Sequence, residues 1–252
     1  MIGATMSADS HPPQKPEKPA KVLGFDCAGR GCSAAVLKGG AVLSRLAEDM
    51  ERGQAGRLLP LIAESLKAAG IEPSELDLIA VTSGPGGFTG IRIGLAAARG
   101  LALAVGVPAV GVSNFAVAAF AVPPEARQGR CLVAAIESKR EEFYLQAFPR
   151  ATDEGGEPSG GALVHPRDLE TFLPEGPLLI TGDAALRLLP WLKSRDAVLA
   201  PHAGPPDPAD VARLGIALWQ KGLGAPPRPL YLRAPDTSQP RAKKSPGVKT
   251  PV

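Results

Sequence analysis

The stretch VTSGPGGFTGIRIGLAAARGLALAVGVPAVGVS constrains this chain more than any other. An apolar run, LDLIAVT, enters a loop of four glycines and a proline, and a long series of small apolar residues leaves it. A strand that passes through a tight turn into a helix is half of a β–α unit, and the next apolar run, PAVGVS, supplies the returning strand. Strands joined this way run parallel, so the chain is expected to be an α/β protein with a partly parallel sheet.

Upstream, KVLGFDC, CSAAVLK and AVLSRLAE are separated by the turns AGRG and GG, which reads as a three-stranded meander. In AGRLLPLIAESLKAAG, Leu58, Leu61, Ile62, Ser65 and Leu66 recur at helical spacing and Gly70 supplies a stop. Further on, RCLVAAIESKREEFYLQAF repeats the opening pattern of basic residue, apolar strand, acid, polar turn and second strand. Asp26 and Glu137 hold the equivalent place in the two copies, which points to a duplicated module. The helix after the glycine loop is expected to start near Thr89, capped by its hydroxyl. In the second half, HPRDLETFLP, AALRLLPWL and DPADVARLGIALWQKG read as helices and GPLLITGD as a strand. Asp207 or Asp210 is the expected cap of the last helix, and PRPLYLRAP an ordered extension. The expected organisation is a disordered leader (1–20), an N-terminal domain (21–112), a C-terminal domain (113–233) and a basic flexible tail (234–252).

Composition excludes several classes. The formal charge of +3 is concentrated at the end, where Arg233, Arg241, Lys243, Lys244 and Lys249 face Asp236 alone. Any strong affinity for a polyanion would have to come from the tail or from a local patch, the alternative being a solubilising end with no partner. Cys27, Cys32 and Cys131 match no zinc spacing and read as reduced core thiols. The most apolar stretch, 91–112, contains Arg92, Arg99 and Pro108, a poor membrane span, and the first twenty residues lack a secretory h-region. A cytoplasmic location with no membrane partner is expected.

The loop Gly84, Pro85, Gly86, Gly87, Phe88, Thr89, Gly90 with Arg92 leaves three jobs open: cradling a phosphate, bracing a partner interface, or making a sharp turn. It lacks the lysine and hydroxyl ending of a P-loop. Asp26, at a strand end before a glycine turn, is a candidate cleft acid that positions a metal-bound phosphate or activates water, with ion pairing to nearby Arg30 or Asx-type capping of the turn as the structural alternative. His11, His165 and His202 are far apart in sequence, so no paired-histidine metal site is expected. No serine sits in G-x-S-x-G.

The glycine stretch, together with LGFDCAGRGCSAAVL, RLLPLI and PRPLYLR, resembles the bacterial TsaB (YeaZ) family over residues 21–233. The resemblance implies the duplicated actin/hexokinase/Hsp70-like fold. It implies a non-catalytic partner of a TsaD-type subunit that makes N6-threonylcarbamoyladenosine at position 37 of tRNAs reading ANN codons. A TsaE-type ATPase and, through the complex, tRNA would be further partners. The complex would use ATP, threonylcarbamoyl-adenylate and a metal on the catalytic subunit, with no catalytic residue, cofactor or metal on this chain. The implied interface comprises Leu58, Leu61, Ile62, Ser65 and Leu66 with the small surface of Gly94, Ala98 and Leu101, and Asp26 becomes a vestigial acid. A homodimer of the isolated chain through the same face is a further expectation. Gly29, Gln54, Gly87, Glu137 and Glu141 depart from the family's usual threonine, histidine, serine, aspartate and glycine, which weakens any phosphate site in the cleft. The competing reading is a stand-alone enzyme of this fold, a kinase or an M22-type peptidase, for which TGDAA at 181–185 is a sparse second phosphate loop.

Overall fold

The computed structural model describes residues 19–149 and 159–233. The expected leader, the basic tail and most of the ATDEGGEPSGG loop lie outside these residues.

The opening apolar runs form β1 (Lys21–Asp26), β2 (Gly31–Lys38) and β3 (Ala41–Asp49), and the runs flanking the glycine loop form β4 (Leu78–Thr82) and β5 (Ala109–Val112). They make one sheet in the order β3-β2-β1-β4-β5. The β1–β2 and β2–β3 pairs are antiparallel, whereas β1–β4 and β4–β5 are parallel. β6 (Cys131–Glu137), β7 (Phe143–Phe148), β8 (Ala162–Val164), β9 (Leu178–Thr181) and β10 (Ala197–Leu199) make a second sheet in the order β10-β9-β6-β7-β8. Its directions match those of the first, strand for strand. The architecture is therefore a duplicated α/β fold of the actin-like kind, with Asp26 and Glu137 at matching strand ends. Strands β8 and β10 are additions to the sequence reading: each has only three residues, too few to show an alternating pattern.

Each sheet is covered by helices according to its alternation. Leu23, Phe25, Val36, Ile79 and Val81 face one side, where they pack on α1 (Gln54–Ala69) and α2 (Phe88–Val105). Each such leucine or isoleucine removed from water stabilises the fold by about 1.5–3 kcal/mol. Helix α1 ends at Gly70, whose left-handed conformation (φ 64°) lets its amide reach back to the Leu66 and Lys67 carbonyls. Helix α2 starts one residue before the expected Thr89. Gly87 is its N-cap, no side chain caps it, and Thr89 is exposed.

Two further helices, one before and one after the second sheet in sequence, complete the layers. α3 (Asn114–Phe120) packs Phe115 against Ala134, Ile136 and Tyr144 of the second sheet. α6 (Pro208–Gln220), capped by Asp207 through the Ala209 amide, covers the far side of the first sheet. The approach is close: a Cβ on Gly24 would lie 2.4 Å from the Pro208 carbonyl oxygen, and one on Gly215 2.4 Å from the Ala80 Cβ. Helix α6, from the end of the chain, thus crosses to the first sheet. Among the described residues the α-helices between α3 and α6 are short, α4 (Leu169–Phe172) and α5 (Ala185–Leu188).

Candidate functional site

The glycine loop is filled by its own chain. The Gly87 amide donates to the Ala28 carbonyl at 2.8 Å. A Cβ on Gly90 would sit 1.9 Å from the Cys27 carbonyl oxygen, and one on Gly86 2.6 Å from that of Ala28. The turn between β1 and β2 therefore occupies the space a phosphate would need. Gly84 has φ +100°, is followed by a cis bond to Pro85, and has a further neighbour in the Leu230 carbonyl, 2.9 Å from a Cβ placed there. The segment after α6 straps this region down. Leu230 N donates to the Ser83 carbonyl, and Arg92 Nε donates to the Tyr231 hydroxyl at 3.1 Å while its guanidinium lies over Phe88. Of the three jobs open to the loop, the structure supports the tight turn that brings β1–β2, α2 and the C-terminal strap together.

Asp26 is buried at the floor of the cleft between the halves. Its carboxylate accepts from the Thr82 hydroxyl and from the amides of Ala28 (3.1 Å) and Gly29 (3.3 Å). Burial pushes its pKa up, and these donors pull it the other way. Of the two structural alternatives the structure shows the Asx-type capping of the turn, through the Ala28 amide, and not a pairing with Arg30. Asp183, which the sequence reading passed over inside TGDAA, accepts from the Glu137 amide at 2.9 Å. Burial pushes its pKa up to about 6, against the pull of that amide and helped by the charges of Asp26 and Glu137. The position could have been found from the duplication, since Thr82–Gly84 after β4 corresponds to Thr181–Asp183 after β9. Glu137 itself is held by Arg187 at 3.0 Å.

The cleft, about 600 Å³, is lined by Asp26, Glu48, Asp49, Asp207 and Asp210 against three arginines. Two of these are tied up, Arg45 to Asp207 and Arg213 to Asp210, both at 2.8 Å. Saturated acceptors, an excess of carboxylates and a filled glycine loop do not fit a nucleoside triphosphate. Among the described residues no three His, Cys, Asp or Glu side chains converge on a common point. Cys27 and Cys32 are free buried thiols with sulfurs 3.6 Å apart.

The expected interface residues are a correction. Leu58, Leu61, Ile62, Ser65, Leu66, Gly94 and Ala98 are all buried within this chain, and Leu101 is half-buried. Helical spacing marked the face turned to the sheet: Ser65 even bonds Ser44 of β3 at 2.7 Å. The opposite face is the exposed one. It carries Ala55, Gly56, Leu59 and Ala63 on α1, with Ala96, Gly100, Leu103 and Ala104 on α2. Leu59 is 51% and Leu103 86% exposed. Helix α2 is long and apolar enough to cross a membrane by length and composition, yet its inner face packs on the sheet through Ile91, Gly94, Leu95 and Ala98.

Residues 46–180, more than half of the chain, match the family model described as TsaD: tRNA N6-adenosine threonylcarbamoyltransferase. The tRNA threonylcarbamoyladenosine biosynthesis protein TsaB of Haemophilus influenzae is 34% identical over 129 residues, 51% of this chain and 54% of that protein. Its namesake in Escherichia coli K12 is 34% identical over 54% of this chain and 57% of its own length. YeaZ from Pseudomonas aeruginosa superposes with a TM-score of 0.69 at 28% identity, covering 84% of this chain and all of that one. The chain belongs to the TsaB (YeaZ) family. It spans about half the length of the curated relatives it matches.

Proposed function

We propose that this TsaB-family chain is the non-catalytic subunit of a tRNA-modifying assembly. It docks on a TsaD-type catalytic subunit and supports transfer of a threonylcarbamoyl group to N6 of adenosine 37 in tRNAs reading ANN codons. A TsaE-type ATPase is the further partner this reading implies, and the assembly works in the cytoplasm. The observation that carries the reading is the outward face of α1 and α2, where small and apolar residues with Leu59 and Leu103 are flanked by the exposed charges Glu64, Lys67, Arg92 and Arg99. Glycine and alanine let a partner helix approach closely, and Leu59 and Leu103 supply the anchors. The filled glycine loop and the saturated Asp26 support a structural rather than a chemical role for this chain.

The test is co-expression with the TsaD-type protein of the same organism, comparing the parent chain with L59E/L103E. Both leucines are exposed, so the free variant should melt within about 0.5 kcal/mol of the parent. Losing two buried leucines of about 1.5–3 kcal/mol each should weaken the complex at least a hundredfold and remove adenosine modification in a reconstituted assay. An unimpaired complex, or full modification without this chain, would sink the reading.

A further inference from the structure

Two cavities flank the turn between β1 and β2, and they differ in sign. The interdomain cleft has more carboxylates than arginines. The second cavity, about 930 Å³, opens on the other side of the glycine loop, and its lining holds Arg52, Arg92, Lys139, Arg140 and Arg233 together with Glu51; Arg140 and Arg233 are engaged elsewhere. Across the sequence 28 basic residues stand against 25 acidic ones, so five cations to one carboxylate is a local concentration.

The arrangement is built rather than incidental. Lys139 adopts a left-handed backbone (φ 60°) stabilised by its amide donating to Glu137 Oε1 at 2.8 Å. Its Nζ lies 3.7 Å from the place a Cβ on Gly87 would take, over the glycine loop. Arg92 is pinned by the Tyr231 hydroxyl and the Phe88 ring, 3.8 Å away. Among the described residues, Arg52, the Lys139 ammonium and the terminal nitrogens of Arg92 have neither an ion pair nor a hydrogen bond. Gathering unneutralised cations in a concave site costs self-repulsion, and such a site focuses its field on an anion. The partly exposed Tyr231 ring also lines the cavity, and single-stranded nucleic acid is commonly held by cations and aromatic faces together.

We propose that this cavity binds phosphodiester groups of an RNA strand, so that the chain contacts RNA itself. The choice of RNA among polyanions rests on the tRNA-modification reading above. The cavity borders the outward face of α1 and α2 at Ala55 and Arg92, and lies where the glycine loop, the β6–β7 turn and the C-terminal strap meet.

The test is fluorescence anisotropy of a labelled anticodon stem–loop RNA with the full chain, as a function of salt, for the parent and for R52E/K139E. Both side chains are exposed and unpaired, so the variant's thermal melt should match the parent's. The variant is expected to bind at least tenfold more weakly, with a plot of log affinity against log salt shallower by about 1.5, or about 0.7 for each lost contact. Equal affinity and slope would overturn the proposal and assign any binding to other residues, the segment 234–252 included. In a parallel titration, ATP replaces the RNA, and binding of ATP without binding of RNA would overturn it as well. Co-purification of the parent chain with the TsaD-type subunit is scored separately. An intact complex with no RNA binding by this cavity defeats this inference alone, whereas loss of that complex defeats the docking reading and leaves the RNA result to stand by itself.

Discussion

The first and second halves share strand order and direction, yet differ sharply after their fourth strand. In the first, β4 leads through the glycine loop into α2, eighteen residues long. In the second, β9 leads through Gly182 and Asp183 into the single turn of α5 and a 3-10 turn at 189–192. Each half packs a glycine against backbone near this turn, but at different places. Gly90, inside α2, presses on the Cys27 carbonyl just past β1, whereas Gly182, with φ +94° and directly after β9, presses on the carbonyl of Ala135 within β6, 2.2 Å from a Cβ placed there. The strand framework is repeated, whereas these contacts and the eighteen-residue helix of the first half are not. What a glycine cluster permits is thus separable from what the helix beyond it does.

The largest expected effect tests these two close contacts. Gly90→Ala drives a methyl group into backbone that cannot turn aside, and should destabilise the chain by about 3 kcal/mol or more in urea unfolding. Gly182→Ala adds an unfavourable positive φ to a similar clash and should be at least as damaging. If the first is severe and the second mild, the two loops are not equivalent. Gly94→Ala is the contrast within α2: its nearest neighbours, Val81 Cγ2 and Cys27 Cβ, would be at 3.5 and 3.6 Å, ordinary contact, and the change should be close to neutral.

A smaller effect separates the two acids. Asp183 has its pKa raised to about 6 by burial, so the folded state holds that proton between pH 4 and 6 while the unfolded chain releases it. Stability therefore falls as pH rises through this window, by about 1–3 kcal/mol from this group. Asp183→Asn retains the acceptor for the Glu137 amide and should raise the melting temperature by several degrees at pH 7, with the gain vanishing near pH 4. A gain that persists at low pH would assign the effect to packing instead of ionisation.

The smallest expected change concerns the outer face. Gly100 lies mid-helix in α2 with no described heavy atom within 4 Å of an added Cβ. Gly100→Ala should stabilise the free chain by about 0.5–1 kcal/mol, seen as a higher urea midpoint. A loss there would mean that the outer face is less open than its exposure indicates.

The sheets were largely legible because β1, β2, β4, β6 and β9 are nearly unbroken apolar runs between glycine turns, and the repeat placed Asp26 opposite Glu137. The helical face was misassigned for a physical reason. Apolar residues spaced at i, i+3 and i+4 report burial, but not whether the burying surface belongs to the same chain. Leu58 and Ile62 followed the rule into the core, while Leu59 and Leu103 break it and mark the open side. Asp183 was hidden because β9 is short and its following helix is one turn long, so the second copy of the strand–loop–helix unit lacks the periodicity that advertised the first.

The crossing of α6 has a consequence in time. Synthesis completes the first sheet at Val112, but the residues that cover its far side, Ala209, Val211 and Ala212, emerge only after the whole second sheet. Until then Val22, Ala35, Leu78 and Ala80 present an uncovered apolar surface to whatever accompanies the nascent chain. The half that is made first is therefore the half that matures last, and a ribosome stalled between the sheets would display a sticky intermediate rather than a finished domain.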